Sequence, residues 1–178
     1  PHFVACSVAA YLDVYDVVDG IREGGTFLLN SIWDAKETIE KIPNKVKRIL
    51  AERKAKFYIL NATKLASEIG LGNRTNTIMQ SAFFKLANII PFDDAKAYMK
   101  EYAKKTYGKK GDKIVQMNYD AIDRGADGLI EIKVDLAWIN LKDETANEHD
   151  KYKGDKFIES VVKINSFAIP FPTSLGSL

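Results

Sequence analysis

The sequence predicts an α/β protein: a three-layer, mostly parallel sheet with helices on both faces, incomplete at its N-terminus and followed by an extended C-terminal arm. Three observations predict it. Short unbroken apolar runs alternate with helical patterns through the first half, as expected for strands buried on both faces. The second half carries apolar residues three and four apart, the spacing of amphipathic helices. After Val134 that periodicity fades into isolated apolar residues and a closing Pro/Ser/Gly stretch. Residues 1–134 are therefore read as one α/β domain, and residues 135–178 as an arm or linker.

Taken in order, His2 to Cys6 is a strand candidate, and a helical stretch follows near Tyr11 to Ile21. Gly24-Gly25 breaks it, and Thr26 to Leu29 forms a second strand. Asp34 to Lys54 is helical, interrupted at Pro43, which suits the first turn of a second helix. Lys56 to Leu60, rich in aromatic and branched residues, is the third strand. Ile78, Ala82, Phe83, Leu86, Ala87 and Ile90 define a helix with capping-box spacing at Thr77 and Gln80, ended by Pro91. Asp93 caps the next pattern (Ala95, Tyr98, Met99, Tyr102, Thr106), which stops at Gly108. A further helix runs from about Asp112 to Ala126. The chain opens on Pro1 and almost at once on a buried-type strand, so residues upstream are expected to have been removed.

Composition narrows the function. The 178 residues are enough for one domain with a real core. A net charge of +2 argues for neither nucleic acid nor a membrane surface, and no apolar run is long enough to span a bilayer. One cysteine, Cys6, rules out an internal disulfide framework, and a reducing cytoplasm fits best. His2 and His149 are far apart, so no zinc or iron–sulfur ligand set can be assembled. No Gly-x-Ser-x-Gly elbow or Walker loop is present. Gly24-Gly25 precedes its strand, which makes it a helix-to-strand turn and not a phosphate cradle. Without a partner base, Cys6 reads as a buried inert thiol. No catalytic set emerges, and the chain alone is expected to be inactive.

Three patterns suit an anionic ligand, and each has a plainer reading. All three strands end in small polar residues: Cys6-Ser7, Asn30-Ser31 and Asn61-Ala62-Thr63. Ligands of open parallel sheets bind beyond those ends, although such residues also simply cap helices. The run Gly70 to Thr77 joins a glycine loop, Arg74 and a helix start, a set that suits a phosphate. It equally describes a glycine-closed helix followed by a capped one. Lys100, Lys104, Lys105, Lys109, Lys110 and Lys113 form either a solvated face or a surface for an anion or partner.

The run from Gly70 to Phe84 (GLGNRTNTIMQSAFF) resembles the signature of single-chain pyruvate:ferredoxin (flavodoxin) oxidoreductases. Gly24 to Ser31 (GGTFLLNS), Lys56 to Ile59, Lys104 to Gly111 and Val115 to Asn118 resemble flanking stretches of that family, in the same order, from residue 3 to about 138. The resemblance is to the gamma domain, which lies between a domain related to transketolase pyrimidine-binding folds and a ferredoxin-like cluster domain. It implies that a glycine-rich first strand-turn-helix unit belongs upstream of Pro1. Phe171 to Leu175 only loosely resembles the linker toward the cluster domain.

The resemblance implies a homodimeric, cytoplasmic parent enzyme of anaerobic metabolism and electron transport. That parent oxidatively decarboxylates pyruvate to acetyl-coenzyme A and passes electrons to ferredoxin or flavodoxin, using thiamine diphosphate, Mg and [4Fe–4S] clusters. The thiamine-type Gly-Asp-Gly motif and the cluster cysteines are missing here, so this chain is expected to hold none of those groups. The gamma domain is implicated in coenzyme A binding, and the candidate contacts are Asn30, Ser31, Arg74, Asn76 and Lys110. The other domains of the parent are the expected partners. The alternative is a purely structural docking module with no ligand.

Overall fold

A computed structural model describes residues 1–143. Four strands form one sheet in the order β1 (Phe3–Cys6), β2 (Thr26–Asn30), β3 (Lys56–Leu60) and β4 (Ile130–Ile132). The first three are parallel, with Phe27 opposite Val4 and Phe57, and β4 runs antiparallel with Ile132 opposite Phe57. The mostly parallel sheet expected from the apolar runs is present, and β4 is an addition. Its three residues offer too short an alternation to be seen as a strand.

Side-chain alternation divides the core into two layers, one on each face of the sheet. Cys6, Phe27, Leu29, Phe57, Ile59 and Ile132 point to one face. They meet Leu12, Val18 and Ile21 from the first connection, and Ile42, Val46 and Leu50 from the second. Phe27 and Phe57 stack there with ring centroids 5.3 Å apart. Leu28 and Leu60 point to the other face, against Ala62, Ala66, Ile78, Met79, Ala82 and Ala121. Both faces are covered, which is why the strands carry no polar alternation.

The helices are α1 (Tyr11–Val14), α2 (Ala35–Lys41), α3 (Asn44–Glu52), α4 (Ala62–Ile69), α5 (Asn76–Ala87), α6 (Phe92–Tyr107) and α7 (Asp112–Asp127). Helix α1 corrects the expected helix over Tyr11 to Ile21: it stops after four residues, and turns carry the chain to β2. Val17 and Val18 are poor helix formers, and the turns deliver Val18 and Ile21 into the core. Asp34 caps α2 by accepting from the Glu37 N–H at 2.8 Å. Pro43 separates α2 from α3 as the extended residue just before Asn44, one position ahead of the first turn expected for it.

Three helix ends also differ from expectation. Helix α5 starts at Asn76, so Thr77 lies inside it and the capping box does not form; Thr75 makes no side-chain cap. The same helix ends at Ala87, where Asn88 turns left-handed (φ 47°), and not at Pro91. Pro91 precedes α6, whose first turn holds Asp93 and Asp94. There their carboxylates face the positive end of the helix dipole, without Asp93 itself being the cap.

Residues 135–143, assigned by sequence to an arm, dock on α3. A 3-10 turn, Leu136–Asn140, leads to Asp143, which pairs with Arg48 at 2.8 Å. Arg48 also donates to the Leu141 carbonyl at 3.0 Å, and Asn44 to that of Lys142 at 3.1 Å. The rest of the proposed arm, 144–178, lies outside the described residues.

Candidate functional site

The C-terminal ends of the parallel strands carry the polar residues seen in the sequence, but most of those side chains are occupied internally. Asn30 ends β2 and is only 8 % exposed. Its amide nitrogen donates to the Ser7 carbonyl at 3.1 Å and to Thr63 Oγ1 at 3.0 Å. Its Oδ1 accepts from the Ala62 N–H, the first of α4, at 2.9 Å. One side chain thus ties the β1–α1 loop, β2 and the start of α4 together. Ser31 is fully buried, its hydroxyl 2.7 Å from Thr38 Oγ1 on α2. Asn61 caps α4 by accepting from the Lys64 N–H at 2.9 Å. At these ends the capping and bracing reading describes what the side chains do.

Arg74, Asn76 and Lys110 are exposed and lie elsewhere. Helix α4 begins beside Asn30, and its eight residues rise about 12 Å before Gly70 closes it. Gly70 is left-handed (φ 97°), a conformation that favours glycine. Its N–H and that of Leu71 both return to the Ala66 carbonyl. Arg74 follows, its Nε donating to the Leu71 carbonyl at 3.1 Å. That leaves both terminal guanidinium nitrogens without a partner among the described residues. Asn76 opens α5, whose first N–H groups have no intrahelical acceptor and no side-chain cap.

Lys110 belongs to a 3-10 turn, Gly108–Lys110, just ahead of α7, with its ammonium 5.6 Å from the Tyr107 ring centre. A Cβ at Gly70 would lie 3.3 Å from Met117 Cε, and one at Gly128 would lie 2.8 Å from Leu60 Cδ1. Helix α7 therefore runs from the Gly70 loop toward the end of β3, opposite in sense to α4. The five candidates consequently form two groups. Asn30 and Ser31 occupy the strand ends, while Arg74, Asn76 and Lys110 fall toward the far end of α4. The expectation of one shared rim does not hold, because the α4–α5 loop carries the basic residues away from it.

The remaining chemistry is sparse. Cys6 donates to the Val8 carbonyl at 3.1 Å, and burial pushes its thiol up to about 11 against that bond, so at neutral pH it is an inert thiol. Among the described residues no group of three or more His, Cys, Asp or Glu side chains gathers as a metal site, and no helix is long and apolar enough to cross a membrane. An open cavity of about 570 Å³ lies between α2 and the segment after β4, lined by Ile39, Val134, Leu136 and Trp138 with Lys133 and Asp135. The titratable groups in its lining are Lys133 and Asp135, and Ile39 follows Thr38, the partner of Ser31, on α2. Ile32, just past the end of β2, is 64 % exposed.

Comparison with known proteins adds the context. The family described as Pyruvate ferredoxin/flavodoxin oxidoreductase matches residues 1–128. The pyruvate:ferredoxin oxidoreductase of Moorella thermoacetica is 50% identical over 143 residues, which are 80% of this chain and 12% of that protein. The pyruvate-flavodoxin oxidoreductase of Enterobacter agglomerans is 46% identical over 145 residues, 82% of this chain and 12% of that protein. The chain thus spans about an eighth of the length of these relatives. Among solved structures, the pyruvate oxidoreductase subunit PORC of Thermotoga maritima superposes with a TM-score of 0.59 at 20% identity, covering 75% of this chain and 66% of that one. That likeness establishes the fold.

Proposed function

Because the chain belongs to the pyruvate ferredoxin/flavodoxin oxidoreductase family, we propose that it is an internal α/β piece of a larger enzyme that oxidises pyruvate to acetyl-coenzyme A and CO2 and passes the electrons to ferredoxin or flavodoxin. In this reading the piece contributes coenzyme A contacts and packing between domains. The redox and carbanion chemistry belongs to thiamine diphosphate, Mg and [4Fe–4S] clusters held elsewhere in the parent. The described residues do not fit those groups: the lone Cys6 is buried and protonated, and no acidic cluster gathers for a divalent ion.

The observation that supports a coenzyme A contact is the loop Gly70 to Asn76. Arg74 keeps two guanidinium nitrogens unpartnered among the described residues, beside the uncapped start of a 12-residue helix. A phosphate placed there would meet a fixed cation, free N–H groups and the positive end of the helix dipole. Lys110, in the turn that precedes α7, supplies a second exposed cation toward the same end of α4. Asn30 and Ser31 support the site only by bracing the fold, since their polar atoms are engaged internally.

Calorimetric titration of the full-length enzyme with coenzyme A tests this. Arg74→Ala and Lys110→Ala should each weaken binding by about tenfold, the worth of one charge-assisted hydrogen bond at ~1.4 kcal/mol. Unchanged affinity in both variants retires the site and leaves the family membership standing. It would favour the second reading, a docking module without a ligand, which draws on the exposed apolar residues Ile32, Ile89 and Leu136.

A further inference from the structure

Helix α6 buries Ala95, Met99 and Ala103 against the body of the domain. Another side of it carries Tyr98, Tyr102, Lys105 and, in the 3-10 turn that continues it, Lys109. Their spacings of four, three and four place them along one stripe. Tyr98 and Tyr102 are 63 % and 67 % exposed. Neither ring nor hydroxyl has a partner among the described residues. Two bare tyrosines a turn apart are what interface centres are rich in, because a rigid amphipathic ring buries much area at little entropic cost.

The charge beside them is one-sided. From Tyr98 to Lys113 six lysines stand against Glu101 and Asp112, a net of +4, where the whole chain carries +2. Glu101 is engaged by Lys105 at 2.7 Å, and Lys100 is engaged by Asp123 at 2.9 Å. Lys104, Lys109 and Lys113 have no carboxylate partner among the described residues. The stripe is thus a pair of aromatic anchors followed by Lys105, which is paired with Glu101, and by Lys109, which has no carboxylate partner among the described residues.

We propose that this tyrosine–lysine stripe docks an acidic face belonging to another part of the same full-length polypeptide. The proposal rests on the reading of the chain as an internal piece, since the matched region is only 12% of the Moorella thermoacetica relative. The occupant is tethered because the stripe is small: a freely diffusing protein needs about 1,200 Å² of interface or more. A tethered face benefits from an effective concentration in the millimolar range, so a few anchors suffice.

Carbodiimide cross-linking of the full-length protein, followed by peptide mass spectrometry, tests it. The expected result is Lys105 or Lys109 joined to Asp or Glu residues outside 1–143, with the yield collapsing at high ionic strength. The Tyr98→Ala/Tyr102→Ala variant should lose at least about tenfold of that product. Lys105→Glu/Lys109→Glu, which leaves the rings in place, should make the domain more mobile in hydrogen exchange. Cross-links confined to α6 and its neighbours, or running to a second copy in an isotope-mixed sample, overturn the proposal. An open reading frame that ends with this chain would instead overturn the internal-piece reading on which it rests.

Discussion

Gly125 of α7 lies directly against the backbone of Ile78 in α5. A Cβ at Gly125 would stand 3.1 Å from both the Cα and the carbonyl carbon of Ile78. Beside this crossing, Ser81 donates its hydroxyl to the Ile122 carbonyl, so the two helices meet backbone to backbone. This crossing fixes the layer that carries the Gly70 loop at one end and the α6 stripe on its outside.

Gly125→Ala should therefore destabilise the domain by about 1–3 kcal/mol, since backbone atoms cannot yield as a flexible side chain would. Gly108→Ala is the control. Its φ of −56° is helical and nothing lies within 4 Å of a Cβ there, so it should be neutral or stabilising by up to about 1 kcal/mol. Urea midpoints compare the two. Equal stability of the variants would show that α5 and α7 separate more easily than this geometry allows.

Asn30→Ala removes three hydrogen bonds at the end of β2 and leaves the Ala62 N–H buried without its acceptor. The expected cost is about 2–4 kcal/mol, from unsatisfied buried groups more than from lost bonds. In the full-length enzyme the coenzyme A affinity of the folded fraction should stay unchanged, unlike that of Arg74→Ala. A selective loss of affinity with no loss of stability would return Asn30 to the ligand site.

Asp123 of α7 sits between Lys96 at 2.7 Å and Lys100 at 2.9 Å, both on α6. Partial burial pushes its carboxyl up, but the hydrogen bonds from Lys100 and Lys96 outweigh that and hold it below the ordinary carboxylate range. A depressed acid stabilises the fold above its unfolded pKa and loses that contribution as pH falls through the folded value. Asp123→Asn should thus cost about 0.5–1 kcal/mol at neutral pH, the worth of a partly screened pair. Wild type and variant should converge as the pH drops below the usual carboxylate range. Parallel stability curves across that range would show that the triad contributes nothing.

Much of the fold was legible because burial writes itself into composition. Thr26 to Leu29 and Lys56 to Leu60 are apolar on both faces, and both became central strands. The helical repeat from Ile78 gave α5, but Asn88, a residue able to turn left-handed, ended it earlier than Pro91 would suggest. The short β4 and the docking of residues 135–143 were invisible, because each depends on partners distant in sequence, Phe57 to Ile59 for one and Arg48 for the other.

By itself the sequence determined the α/β class, the layers of the core and the likeness to one oxidoreductase family, all of which follow from local pattern and residue order. Only the tertiary structure decided which polar groups are free. Asn30 and Arg74 look equally available along the chain, yet Asn30 is consumed by Ser7, Ala62 and Thr63 while Arg74 keeps donors unpartnered among the described residues. The physical reason is that a hydrogen-bonding side chain is committed by whatever the fold brings within about 3 Å of it, and that neighbour is set by strand order and helix direction.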